Sequence, residues 1–181
     1  MNKLPLNYDI RKTTFEDLEQ LTYVNINSWR ESYAYIIDPI TIANLNTKES
    51  LEKRKLFFTN NPYIISYVAT YKNIIVGFCE GGPLREHPFR NKNDKVKEKA
   101  KGEIFALYIL NEHKGKNLGT TLVEKVANDL HQQNLIPFAI FALKDNIAGC
   151  QFYKKLDGQE FSESTITIDH KHYTEIIYLF E

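Results

Sequence analysis

The sequence predicts an α/β (α+β) domain, with one sheet of about six to seven strands flanked by about four helices. Three observations predict it. Residues 103–143 read as strand, glycine-bearing loop, amphipathic helix and apolar strand, a βαβ unit whose crossover is right-handed. Residues 63–80 and 161–180 each alternate around a short turn, the pattern of a hairpin. Two more helical segments, each opened by a capping residue, precede the first hairpin. A chain of 181 residues fits one domain, 1–181, with residues 82–102 expected to be a mobile loop. At this size a hydrophobic core suffices without disulfides or metal.

Charge is balanced, 23 Lys and Arg against 23 Asp and Glu, so the formal net charge is zero. That argues against nucleic acid or an anionic membrane as the main partner, because both demand a basic excess. Cys79 and Cys150 lie far apart in apolar segments and read as buried free thiols, suited to a reducing compartment. No Cys/His spacing suits a metal. The first residues lack the apolar stretch of a signal peptide, and no run approaches the ~18 apolar residues of a membrane span. The expected location is the cytoplasm.

Tyr8-Asp-Ile-Arg-Lys12 alternates and forms a short first strand. Thr14-Phe-Glu-Asp17 is a capping box, and Leu18, Leu21, Asn25 and Trp29 continue at helical spacing to about Tyr33. The aromatic end of this helix, with Trp29 and Tyr33, reads either as packing on the core or as one wall of a substrate cleft. A second helix opens at Thr47 and stops at Asn60-Asn61-Pro62. Residues 63–70 and 75–80 are strands joined by the tight turn Tyr71-Lys-Asn-Ile74. Residues 84–101 carry seven cationic against three acidic side chains, an excess of four. They read as a solvated loop or as a lid that attracts an acidic substrate or a phosphate.

Strand 103–110, loop 111–117 and helix 118–133 follow. Leu118, Leu122, Val126 and Leu130 give the helix its apolar face. Residues 138–143 are apolar throughout, as in a strand covered on both faces. Asp145 or Asn146 caps a helix over 147–156 that ends at Gly158, read as a C′ glycine. Residues 161–168 and 172–180 close the sheet.

The loop over 111–117 points several backbone N–H groups at one place. The helix behind it adds the positive end of its dipole, and together they make an anion site, usually for phosphate. Two phosphate-loop fingerprints fail. A dinucleotide loop needs G-x-G-x-x-G, and only Gly115 and Gly119 are present. A nucleotide P-loop closes on Gly-Lys-Ser/Thr, which Gly115-Lys116-Asn117 does not match. What remains is a short diphosphate loop over residues 114–120. Gly115 and Gly119 admit close backbone approach, and the Lys114, Lys116 and Thr120 side chains supplement the amides.

Residues 103–122 resemble the acetyl-CoA signature of the GNAT superfamily of N-acetyltransferases, Q/R-x-x-G-x-G/A. Glu112-His-Lys-Gly-Lys-Asn117 keeps Gly115, with Glu112 in place of Gln/Arg and Asn117 in place of the closing Gly/Ala. Asn accepts a positive φ better than any other non-glycine residue. Ser28-Trp-Arg-Glu-Ser-Tyr33 resembles the first helix of many small bacterial members. Asp145-Asn-Ile-Ala-Gly-Cys-Gln-Phe-Tyr-Lys-Lys-Leu-Asp-Gly158 resembles their N-x-x-A-x-x-F-Y-x-x-x-G-F block, with one extra residue before Gly158. The resemblance spans residues 8–180.

It implies a mixed, mostly antiparallel sheet with a splayed central strand pair. It also implies acetyl-CoA as co-substrate and direct transfer of the acetyl group to an amine, whether a small amine, an amino acid, a peptide or a protein N-terminus. The backbone of Leu107, Tyr108 and Ile109 would bind the pantetheine arm, with Asn146 and Ala148 beside it. Lys114, Gly115, Lys116, Asn117, Leu118, Gly119 and Thr120 would hold the diphosphate. Tyr153 would lie at the cofactor sulfur as the acid for the leaving thiolate, and Glu103 would be a general base acting through water. Trp29, Tyr33 and Glu80 would border the acceptor. Homodimers are common in the family. Two other functions stay open: a non-catalytic acyl-CoA-binding sensor or scaffold, and toxin-type acetylation of aminoacyl-tRNA, which the basic segment would suit.

Overall fold

The computed structural model of the chain describes residues 4–89 and 94–181. In order these form β1 (Tyr8–Lys12), α1 (Leu18–Tyr33), α2 (Pro39–Ala43), α3 (Thr47–Asn60), β2 (Ile65–Tyr71), β3 (Ile74–Pro83) and α4 (Asp94–Lys97). They continue with β4 (Gly102–Ile109), α5 (Leu118–Gln132), β5 (Phe138–Leu143), α6 (Ile147–Lys155), β6 (Gln159–Ile168) and β7 (Lys171–Phe180). The seven strands make one sheet in the order β1-β2-β3-β4-β5-β7-β6, antiparallel except between β4 and β5. This is the mixed, mostly antiparallel sheet expected. No helix among the described residues is long and apolar enough to cross a membrane.

The local chemistry explains the element ends. A 3₁₀ turn over Phe15–Asp17 leads into α1, and the Asp17 carboxylate accepts the Thr14 N–H at 2.8 Å. The same carboxylate takes both Arg11 guanidinium nitrogens, at 2.6 and 2.8 Å. These bonds, the Arg11 bond foremost, hold Asp17 below the usual carboxylate range. The folded pKa is depressed, so this pair stabilises fully above about pH 4, the unfolded aspartate value, and the contribution fades as pH falls through that region. Arg11→Met should therefore lose less stability on acidification than wild type in urea titrations at stepwise lower pH.

The β2–β3 turn places Lys72 and Asn73 at φ 49° and 66°, a type I′ hairpin. Two features depart from expectation. A short α2, capped by Asp38 with Pro39 in its first turn, follows the aromatic end of α1. At the end of α6 the left-handed residue is Asp157, with φ 63°, not Gly158. Gly158 is small for another reason: a Cβ there would sit 2.6 Å from the Phe180 ring and 2.8 Å from the Tyr153 carbonyl oxygen.

Both faces of the sheet are covered. The apolar stripe of α5, with Leu118, Leu122, Val126 and Leu130, packs on Tyr67, Val76, Ile104 and Ile140. Leu21 and Val24 of α1 pack on Val68, Ile75 and Phe78 from the other side. Cys79 and Cys150 are buried free thiols, as expected. Within the basic segment, Val96 and Ala100 are buried against Ala139 and Ile177, and the Leu84 N–H bonds the Lys101 carbonyl at 2.8 Å. Arg90 and Lys92, two of its cations, lie outside the described residues, as does the side chain of Asp94.

What positions the site is a defect in β4. Glu80 pairs with Ala106 and Gly81 with Ile104, so Phe105 is an extra residue, a β-bulge that bends the strand. The β4–β5 ladder ends at this point. It holds only Gly102↔Phe138, Glu103↔Ala139 and Ile104↔Ile140, although both strands run on. Beyond Ile104 the two parallel strands part, leaving β4 backbone groups on that side facing a cleft instead of a partner. This is the splayed pair.

Candidate active site

A cavity of about 540 Å³ fills the splay and runs to the start of α5, within the range of small-molecule sites. Of the residues assigned to the cofactor, Leu107, Tyr108, Ile109, Lys114, Gly115, Asn117, Leu118, Gly119, Thr120, Asn146, Ala148 and Tyr153 all line it. Lys116 does not, because its ammonium folds back onto the Glu112 carbonyl at 2.9 Å. The loop is fastened on two sides. Glu31 of α1 accepts the Asn111 N–H at 3.0 Å, and the Tyr8 hydroxyl shares a 2.9 Å hydrogen bond with His113 Nδ1. The first amides of α5 have no acceptors within the helix, and its first turn carries no acidic residue. The end of the cavity is therefore built for an anion.

The geometry shifts the motif by two residues. Glu112 does not line the cavity; Lys114 does, and it fills the cationic opening position. Gly115, at φ 74°, and Asn117, at φ 60° and ψ 6°, are both left-handed, and in this register Asn117 stands at the glycine position. Gly119 then fills the closing small position, where a Cβ would press on Phe152 at 3.1 Å and Ile109 at 3.4 Å. The matching segment is thus Lys114-Gly-Lys-Asn-Leu-Gly119. Asn at positive φ is tolerated, whereas Ala there is strained. Asn117→Ala should cost about 1 kcal/mol of stability and weaken binding of the anion, and Asn117→Gly should keep both, as urea unfolding and ligand titration would read.

On the opposite wall, Asn146 caps α6 by accepting the Gly149 N–H at 3.1 Å while also lining the cavity. Tyr153, two turns further on, packs its ring against Phe152 and Tyr178. Its hydroxyl makes no hydrogen bond within the described residues. Burial pushes that hydroxyl well above the ordinary tyrosine range, so it stays protonated.

A second cavity, about 580 Å³, lies on the α1 side of the sheet and shares Tyr33, Phe105, Tyr108 and Phe141 with the first. Trp29 lines it, and the indole N–H donates to the Tyr108 hydroxyl at 3.0 Å. Glu103 also lines it, 1% exposed. One of its oxygens accepts from Arg85 Nη2 at 3.1 Å and the other from the Arg85 backbone N–H at 3.2 Å. The Arg85 guanidinium in turn lies 3.7 Å from the Phe105 ring centroid. Glu80 lines neither cavity, which corrects its assignment to the acceptor cleft. It is turned toward α3, where Arg54 binds both of its oxygens at 3.0 and 3.1 Å. His170 borders the second cavity from the β6–β7 turn. Arg85, Phe105 and Phe141 carry no sequence signal for this site; the bulge and the strand order bring them there.

Comparison with known proteins agrees with this geometry. A family model described as the Acetyltransferase (GNAT) family matches residues 23–158. An uncharacterised N-acetyltransferase, YuaI, of Bacillus subtilis is 25% identical over 159 residues, 88% of this chain and 84% of that protein. A spermidine N(1)-acetyltransferase of Thermoplasma acidophilum is 25% identical over 168 residues, 86% of this chain and 95% of that protein. The crystal structure of the paiA N-acetyltransferase of Thermoplasma acidophilum, in complex with coenzyme A, superimposes with a TM-score of 0.69 at 23% identity. It covers 94% of this chain and 98% of that one.

Proposed function

The chain belongs to the acetyltransferase (GNAT) family, and on that premise we propose that it moves the acetyl group of acetyl-CoA directly to an amine acceptor. The observation that carries this reading is the meeting of two cavities across the splayed strands, with Tyr33, Phe105, Tyr108 and Phe141 common to both. One cavity ends at an anion-binding helix start, and the other opens on the opposite face of the sheet. A thioester in the first and an amine in the second come together at the shared wall.

Each residue then has a task. The amides from Gly115 to Thr120, with Lys114, hold the diphosphate. The splayed edge of β4 offers its free backbone groups to the amide-bearing arm, and Asn146 faces it from α6. The amine nitrogen attacks the thioester carbonyl carbon, the C–S bond breaks, and the Tyr153 hydroxyl supplies the proton that leaves with the thiol. Glu103, on the acceptor side, is placed to take the proton that the amine gives up. Arg85 already occupies both of its oxygens, so that transfer runs through water. The Arg85–Glu103 pair also holds Phe105 at the bulge.

The test is to incubate the protein with acetyl-CoA and a panel of polyamines, amino acids and peptides, recording acceptor mass and free thiol. Polyamines head the panel because the Thermoplasma relative is named for spermidine. The reading requires at least one acceptor to gain an acetyl group with one thiol released per transfer. Tight acetyl-CoA binding without transfer to any amine would favour the sensor reading instead.

A further inference from the structure

Three phenols meet where the two cavities join: Tyr33 at the end of α1, Tyr108 on β4 and Tyr153 on α6. Tyr33 and Tyr108 line both cavities. The Tyr33 ring stands edge-on to Trp29, with centroids 5.2 Å apart, and edge-on to Tyr108, with centroids 6.5 Å apart. The hydrogen bonds among these groups have a forced direction. An indole nitrogen can only donate, so the Trp29–Tyr108 bond makes the Tyr108 oxygen an acceptor. The proton of Tyr108 is then free to point at Tyr33. Asn146 spends its side-chain oxygen on the Gly149 N–H, which leaves its NH₂ as the group that can face the ring opposite. Burial pushes the Tyr33 phenol up, with Tyr108 and Asn146 acting against it, so the hydroxyl keeps its proton and can donate. No hydrogen bond within the described residues holds that hydroxyl, and its ring lines both cavities, so its O–H is available at the junction.

We infer that Tyr33 is a further catalytic residue of the acetyl transfer: its hydroxyl, at the junction of the two cavities beside Trp29 and Tyr108, donates a hydrogen bond to the thioester carbonyl oxygen as that oxygen gains negative charge. This rests on the acetyltransferase reading above. The donor makes and breaks no covalent bond. It strengthens its hydrogen bond as the carbonyl π pair moves onto oxygen, and it relaxes when the C–S bond breaks and the carbonyl re-forms. A preorganised donor in a site walled by Phe105, Phe141 and Trp29 is worth more than the same donor in water.

The test uses the full chain and an amine that the wild type acetylates. Tyr33→Phe keeps the ring and removes the donor. Its kcat should fall about 10- to 100-fold, somewhat below the ~10²–10³ seen when an oxyanion donor is lost elsewhere, because β4 backbone donors remain. KM for acetyl-CoA and the acetyl-CoA-induced rise in melting temperature should not change. Trp29→Phe removes the N–H that fixes Tyr108 and trims the cavity wall, so kcat and not KM for the acceptor is the readout. It should lower kcat a few-fold in the wild-type background and not at all in the Tyr33→Phe background. The inference is overturned if Tyr33→Phe leaves kcat within twofold, if it raises KM alone, or if the Trp29→Phe effect is equal in both backgrounds. If the wild type acetylates no amine, the acetyltransferase reading itself fails and this inference falls with it. Wild-type turnover matched by Tyr33→Phe sinks the inference alone.

Discussion

Replacing Tyr153 with Phe should lower kcat by about a hundredfold, the low end of what a positioned general acid contributes, while acetyl-CoA binds as before. A departing thiolate is a base and needs a proton as it leaves. Burial makes the Tyr153 hydroxyl a weaker acid than a free tyrosine, but the same burial raises the basicity of the thiolate beside it, so the two remain matched. Because the shift is upward, the phenol stays protonated at every pH where the fold persists, and Tyr153 adds no alkaline limb to the rate profile. The Phe variant should keep its stability, since the hydroxyl makes no hydrogen bond within the described residues and the ring contacts with Phe152 and Tyr178 survive. Unchanged turnover with every accepted amine would show the tyrosine to be packing alone.

Removing Arg54 should cost about 3–5 kcal/mol of stability, the range for stripping one partner from a buried ion pair. Glu80 is 3% exposed in the middle of the sheet and depends on Arg54, whose guanidinium binds both carboxylate oxygens; Ser66 adds only a long contact at 3.5 Å. Arg54→Ala leaves an uncompensated carboxylate under the sheet. The double variant Arg54→Met with Glu80→Leu removes both charges and should recover most of the loss. Urea unfolding of the three proteins measures this. Activity in the double variant should persist, since Glu80 lines neither cavity. Loss of turnover with the fold intact would return Glu80 to the acceptor cleft.

Much of the fold was legible because its signals are local. The apolar run of β5 and the capped start of α6 are both found where their residues place them. The α5 stripe at four-residue spacing likewise packs as the sequence implies. The misreadings share a physical origin. In Lys114-Gly-Lys-Asn-Leu-Gly119 several residues suit each motif position, and Gly115 and Asn117 are both left-handed; the register is fixed by Lys114 lining the cavity and by the tight space at Gly119. At the end of α6 a glycine beside an aspartate hides which of the two bends backwards; Gly158 owes its smallness to Phe180, far along the chain. Asp38-Pro39 did carry the signal for α2, a capping aspartate followed by a first-turn proline.

The cavity at the start of α5 was legible in the sequence and the second cavity largely was not. The loop before α5 is one continuous segment with its own backbone signature. The second cavity is assembled from α1, β4, β5, the β6–β7 turn and the stretch after β3. The ion pairs that hold Glu103 at that cavity and turn Glu80 away from it, Arg85–Glu103 and Arg54–Glu80, join residues 18 and 26 positions apart. The bulge at Phe105, which opens the splay and brings the cavities together, sits in a stretch that alternates no differently from an ordinary strand.

If the two cavities are the donor and acceptor halves of one acetyl-transfer site, a crystal structure of the acetyl-CoA complex should hold the diphosphate on the amides of residues 115–120, the sulfur beside the Tyr153 hydroxyl, and the acetyl group at the wall of Tyr33, Phe105, Tyr108 and Phe141. An acetyl group directed away from that wall, or a diphosphate bound anywhere other than the start of α5, would contradict that assignment.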